Sequence, residues 1–118
     1  MTEYGRQEAG EPYRRISVTE ALKLQNQGAL VVDVRRDDEW ETGHPVGAVH
    51  IPVDDVLAQA EENLPKGRQL LFICAAGVRS GLACEMVSAL GYESALIFNI
   101  EDGMPVWMEQ SLPTEYGA

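Results

Sequence analysis

Residues 70–80 read Leu70-Leu71-Phe72-Ile73-Cys74-Ala75-Ala76-Gly77-Val78-Arg79-Ser80. Their order predicts a buried strand, a turn of small residues and the first turn of a helix. Residues 69–73 (QLLFI) are apolar after the glutamine. Such a run suits a strand buried on both faces of a parallel sheet, although a buried helix shares the pattern. Beyond Arg79, the residues Leu82, Ala83, Met86, Val87 and Leu90 form a helical stripe that Gly91 closes.

The same grammar repeats outward from this segment. Residues 29–34 (ALVVDV) form a second apolar run rich in β-branched residues. Residues 14–16, 48–51 and 94–98 are weaker strand candidates. Ser17 and Glu20 carry the spacing of a capping box, serine at the N-cap and glutamate at the third helical position. The helix they open has a partly apolar stripe of Val18, Ala21, Leu22 and Gln25, and Gly28 is placed to end it. Val56, Leu57, Ala60 and Leu64 mark another helix. Strand and helix alternate throughout, which predicts an α/β domain in three layers: a central, mainly parallel sheet of about five strands with helices on both faces. Residues 1–12 read as a flexible polar tail, 13–114 as the domain and 115–118 as a short C-terminal tail. No repeat or low-complexity segment interrupts them.

A chain of 118 residues fits one such domain. Its formal net charge of −10 argues against nucleic acid and anionic membrane surfaces as partners. The polar start holds no apolar core of a secretory signal, and the longest apolar stretch, residues 70–77, falls far short of the ~20 residues that span a bilayer. Two cysteines in such a chain read as thiols rather than a disulfide, and a cytoplasmic location is expected.

The chemistry concentrates on the turn. Ligand sites of parallel α/β sheets lie beyond the carboxyl ends of the strands, where Cys74 stands. A helix start offers unpaired N–H groups and a positive dipole end, which attract anions and favour a thiolate. Gly77 can take a positive φ, letting the N–H groups of Ala75, Ala76, Gly77 and Val78 turn inward as a nest. The small side chains of Ala75 and Ala76 are expected to leave the mouth open. Arg79 adds a permanent charge with a fork suited to sulfonate or phosphate oxygens. Ser80 offers a hydroxyl to the sulfur or to the helix end. A lone cysteine at a strand end is most often just a small buried hydrophobe, but that leaves the glycine, arginine and helix start at these offsets unexplained. Cys84, on the flank of the helical stripe, reads as a packing residue too far along the helix to bridge Cys74.

These residues resemble the rhodanese-type sulfurtransferase family. Cys74 to Arg79 is similar to its C-x-x-G-x-R loop. Val32-Asp33-Val34-Arg35 resembles its V-D-V-R strand end. Glu39-Trp40, Gly43-His44 and Gly47-Ala48-Val49-His50-Ile51-Pro52 resemble its G-H-I-P-G-A-x-x-I-P signature. Gly103, Trp107, Leu112 and Pro113 resemble its closing G-x-x-x-W and L-P elements. The chain departs in having Pro45-Val46 after the Gly-His pair, Trp40 where Phe or Tyr is commoner, and Glu101-Asp102-Gly103 in place of a Gly-Gly pair.

The resemblance implies a ping-pong transfer. Cys74 takes the outer sulfur of a small anionic donor such as thiosulfate, becomes a persulfide, and passes the sulfur to cyanide, a thiol or a protein acceptor. Residues 75–80 would bind the donor, with Arg79 on its anionic end. Asp33 and Arg35 would brace the site or line its rim; an ordinary ion pair explains them equally well. A second reading is a sulfur carrier or sensor module that acts with a protein partner and turns over little. Some cysteine phosphatases share the fold, but they use a loop one residue longer and usually a histidine where this chain has Ile73. His44 and His50 lack further ligands for a zinc site and read as structural. The acidic runs Asp37-Asp38-Glu39 and Glu61-Glu62 read as solvated faces. No nucleotide-binding glycine pattern appears, and no cofactor or metal is implied.

Overall fold

The computed structural model describes residues 4–118; residues 1–3 of the expected tail lie outside them. Among the described residues, seven strands and five α-helices follow in the order β1 (Arg14–Ile16), α1 (Val18–Asn26), β2 (Leu30–Asp33), α2 (Asp37–Glu41), β3 (His44–Pro45), β4 (Val49–His50), α3 (Val56–Asn63), β5 (Leu70–Ile73), α4 (Val78–Ala89), β6 (Ile97–Ile100), α5 (Gly103–Glu109) and β7 (Thr114–Glu115). Five strands form one sheet in the order β1-β6-β5-β2-β4, every pair parallel. The expected three-layer α/β architecture is what forms.

Strand β5 lies at the centre, between β2 and β6, and its alternation builds both cores. Leu70, Phe72 and Cys74 share a cluster with Val56 and Ala60 of α3 and Ala83, Cys84 and Val87 of α4. Leu71 and Ile73 join Val18, Ala21 and Leu24 of α1 and Met104 and Trp107 of α5 on the opposite face. Burying a side chain such as Phe72 contributes on the order of 2–3 kcal/mol, so these two layers hold the sheet rigid beneath the loop at its end.

The Ser17–Glu20 capping box forms in both directions. The stripes differ in detail. Leu57 and Leu82 are exposed, while Cys84 is fully buried. On α4 the inward face runs through Ser80, Ala83, Cys84 and Val87, a helical spacing that turns Leu82 out and Cys84 in. The strand expected over 94–98 lies later. Residues Ser94–Leu96 form a 3₁₀ turn and the strand starts at Ile97.

Both expected tails make contacts that composition does not foreshadow. Arg6 and Arg15 exchange main-chain hydrogen bonds, and the Gly5 N–H donates to Glu20 at 2.7 Å. At the other end Glu115 pairs with His44 in an antiparallel ladder, and the Gly117 N–H donates to the Glu41 carbonyl. Among the described residues no helix is long and apolar enough to cross a membrane.

Candidate active site

Cys74 is the first residue past β5, and α4 begins at Val78. Gly77, between them, has φ 86°, a conformation open to glycine at little cost. A side chain there would also press on Glu101, whose carbonyl oxygen lies 2.8 Å from the position of a Cβ. The turn this creates directs the Gly77 N–H to the Cys74 Sγ at 3.2 Å. The Ser80 hydroxyl, one helical turn later, lies 3.3 Å from the same sulfur. Burial pushes the thiol up, but hydrogen bonds from the Ser80 hydroxyl and from main-chain groups of Ser80, Ala76 and Gly77 outweigh it. The Cys74 thiol therefore ionises below its ordinary value, as a nucleophile requires.

The mouth is tighter than the small side chains of Ala75 and Ala76 suggest. Cys74 is only 1% exposed, because it continues the inward parity of Leu70 and Phe72. Ala76 and Val78 are the exposed members of the loop. Cys84 is likewise buried and free. Burial first, and then the negative charges of Glu11, Glu85 and Cys74, drive its thiol well above the ordinary range, which makes it inert.

Arg79 is engaged in a way its spacing does not reveal. Its two terminal nitrogens donate to the two Glu39 oxygens at 2.6 and 3.0 Å. Glu39, read from sequence as part of a solvated acidic face, is instead a partly buried fork partner; Asp37 and Asp38 do stand in solvent. The Arg36 N–H also donates to Glu39 at 3.1 Å. With Arg79 as the dominant cause, the Glu39 carboxyl is held at about 2. A cavity of about 340 Å³ opens beside the pair, lined by Val34, Arg36, Pro52, Val53, Asp54 and Arg79.

Asp33 and Arg35 are buried together. The Arg35 guanidinium clasps the carboxylate, Nη2 to Oδ2 at 2.7 Å, and reaches the Gly43 carbonyl at 2.6 Å. They secure the exit of β2 and the Gly43 turn, and among the described residues no hydrogen bond joins their side chains to residues 74–79. Trp40 stacks on His44 and His50 with ring centroids 3.4 and 4.6 Å apart. Each histidine binds a main-chain carbonyl, His44 that of Trp40 and His50 that of Arg35.

Two supports of the loop lie outside the site residues expected from sequence, although Gly103 belongs to the closing G-x-x-x-W element. Asn99, buried on β6, accepts the Ser80 hydroxyl at 2.6 Å and donates to the Gly77 carbonyl at 3.1 Å. Its only sequence signal is an amide inside an otherwise apolar run. Gly103 opens α5 at φ 80° against the loop; a Cβ there would collide with the Ala75 carbonyl. The neighbouring Met104 N–H donates to the Cys74 carbonyl at 2.8 Å.

A parallel sheet ending in a cysteine whose loop amides turn inward defines a class, and comparison with known proteins gives it a name. Residues 17–110 match the family described as Rhodanese-like domain, and the chain belongs to that family. Over 98 residues it is 34% identical to the putative sulfurtransferase YtwF of Bacillus subtilis, covering 80% of this chain and 91% of that one. It is 31% identical over 98 residues to the thiosulfate sulfurtransferase GlpE of Pseudomonas entomophila, covering 80% of this chain and 84% of the other. Among solved structures, a rhodanese-related protein from Thermoplasma volcanium aligns with TM-score 0.75 and 29% identity, covering 87% of this chain and 98% of that one. The relatives support sulfur transfer as the general activity.

Proposed function

We propose that the protein moves a sulfane sulfur from thiosulfate or a similar donor to a thiophilic acceptor through a persulfide on Cys74. The observation that carries this reading is the convergence of the Gly77 N–H and the Ser80 hydroxyl on the Cys74 sulfur. In the first half-reaction the Cys74 thiolate bonds to the outer sulfur of the donor. The donor's S–S bond breaks, and sulfite leaves with the bonding pair. In the second, cyanide or a thiolate bonds to that outer sulfur, and the Cys74 thiolate leaves. Main-chain N–H groups of residues 75–78 steady the negative sulfur, in the manner of an oxyanion hole. Asp33 and Arg35 serve as a brace for the neighbouring strand end. No cofactor takes part. The two free cysteines suit a reducing compartment such as the cytoplasm.

The test is a mass spectrum of the protein after thiosulfate treatment. One added sulfur is expected on the peptide that holds Cys74, lost when cyanide is added and absent in Cys74→Ser. A free Cys74 thiol that takes up no sulfur from any donor would instead leave a passive module that acts through a protein partner.

A further inference from the structure

We infer that Glu39 sets donor specificity: by occupying the fork of Arg79 it disfavours inorganic dianions and matches the site to a sulfur borne on an uncharged or cationic organic carrier. This rests on the sulfurtransferase reading above and names the substrate class within it.

The argument starts with geometry. A guanidinium clasps a sulfonate or a carboxylate through the same pair of parallel N–H groups. In this chain the two terminal nitrogens of Arg79 already meet the two oxygens of Glu39. The carboxylate is itself fixed, since its Oε1 also accepts the Arg36 N–H at the start of α2. A donor's sulfonate would have to displace an anion held on three hydrogen bonds.

Charge leads to the same result. The second cation at the cavity, Arg36, is 3.1 Å from Asp38 and 3.6 Å from Glu39. Each guanidinium that lines the cavity therefore has a carboxylate of its own. Asp54, which lines it too, has no ion-pair partner among the described residues. The cavity is left with an uncompensated negative charge, the wrong sign for thiosulfate. The rest of its lining, Val34, Pro52 and Val53, presents hydrocarbon, which suits the body of an organic persulfide.

The step such a donor makes is the same displacement. The Cys74 thiolate bonds to the terminal sulfur of R–S–S–H and the donor's S–S bond breaks. R–S⁻ leaves with the bonding pair, and the proton stays on the transferred sulfur.

The experiment compares two probes on the full chain: thiosulfate, and cysteamine persulfide, whose ammonium group cancels its sulfur's charge. Rapid quenching and mass spectrometry give the rate at which each loads Cys74. Comparing the ratio of the two rates between variant and wild type cancels their intrinsic reactivities. Glu39→Gln frees the Arg79 fork and is expected to raise the thiosulfate-to-persulfide ratio about tenfold, the scale of one charge acting at a partly exposed site. Asp54→Asn, an exposed change that leaves the fold's contacts alone, is expected to raise it about two- to threefold and keeps the test alive should the first variant misfold. Loading with a ratio unmoved or lowered in both variants would make Glu39 a brace for Arg79 and overturn the inference alone. Failure of both donors to load the wild-type protein overturns the sulfurtransferase reading, and this inference with it.

Discussion

The Asn99 side-chain oxygen lies 2.6 Å from the Ser80 hydroxyl, which is itself 3.3 Å from the Cys74 sulfur. Ser80 has one hydroxyl proton and two claimants for it. Given to Asn99, it leaves Ser80 as an acceptor for the thiol S–H; turned to the sulfur, it steadies the thiolate. Replacing Ser80 by alanine removes the second option and leaves the buried Asn99 oxygen without its donor. The Cys74 thiol is then expected to ionise at higher pH than in the parent, and the fold to lose about 1–3 kcal/mol. The pH profile of Cys74 alkylation, read beside urea unfolding, checks both. An unmoved profile would mean that the amides alone stabilise the thiolate.

Gly103→Ala tests how the loop is held from behind. The substitution puts a Cβ into the Ala75 carbonyl and forces a side chain onto a residue at φ 80°. The loop and α5 must separate, and the hydrogen bond from Met104 to the Cys74 carbonyl goes with them. A loss on the order of 3 kcal/mol is expected, together with slower sulfur loading. Thermal unfolding and the loading assay report the two effects, and a variant with parental stability would contradict the close approach.

The Glu39–Arg79 fork also predicts a pH dependence of stability. The carboxyl ionises at about 2 when folded against an ordinary 4.5. Its contribution is therefore complete above pH ~4.5 and is lost as the pH falls toward 2. After allowance for its partial exposure to solvent, it amounts to about 1–3 kcal/mol. Glu39→Gln is expected to be the less stable protein at pH 7, with the gap shrunk to roughly a quarter of that size at pH 2.5, as measured by urea titration. A stability gap of equal size at both values would refute the ion-pair account.

These features were unequally legible in the sequence. Strands β2 and β5 and the capping box at Ser17 announce themselves locally, because apolar runs and cap spacing are properties of neighbouring residues. The turn at Gly77 is legible for the same reason. Partnerships across the fold are not. Glu39 sits among exposed acids, and only the passage of α2 past the start of α4 singles it out for Arg79. Asn99 masks the later half of β6, because an amide looks out of place in a buried strand until its partners Ser80 and Gly77 are known. The exposure of Leu57 and Leu82 depends on helix rotation finer than a stripe of residue types resolves. The position of Cys74 at the end of β5 is legible from the apolar run before it, yet its depth follows from the parity of β5 within a sheet covered on both sides.

Salt should separate the two donor classes without any mutation. The protein carries a net charge of −10, and the cavity beside Arg79 offers a dianion no uncompensated cation. At an ionic strength of about 0.01 M the Debye length, roughly 30 Å, spans the molecule, so its whole charge repels thiosulfate. At about 0.15 M that length shrinks to roughly 8 Å and most of the repulsion disappears. Thiosulfate loading of Cys74 is therefore expected to quicken about threefold between these conditions. A donor without net charge feels no such field, so its rate should hold steady. Stopped-time sulfur loading at fixed pH and varied sodium chloride makes the measurement. A thiosulfate rate that falls steeply as salt is added would reveal an attractive cationic approach, and would mean that Arg79 meets the donor free of Glu39.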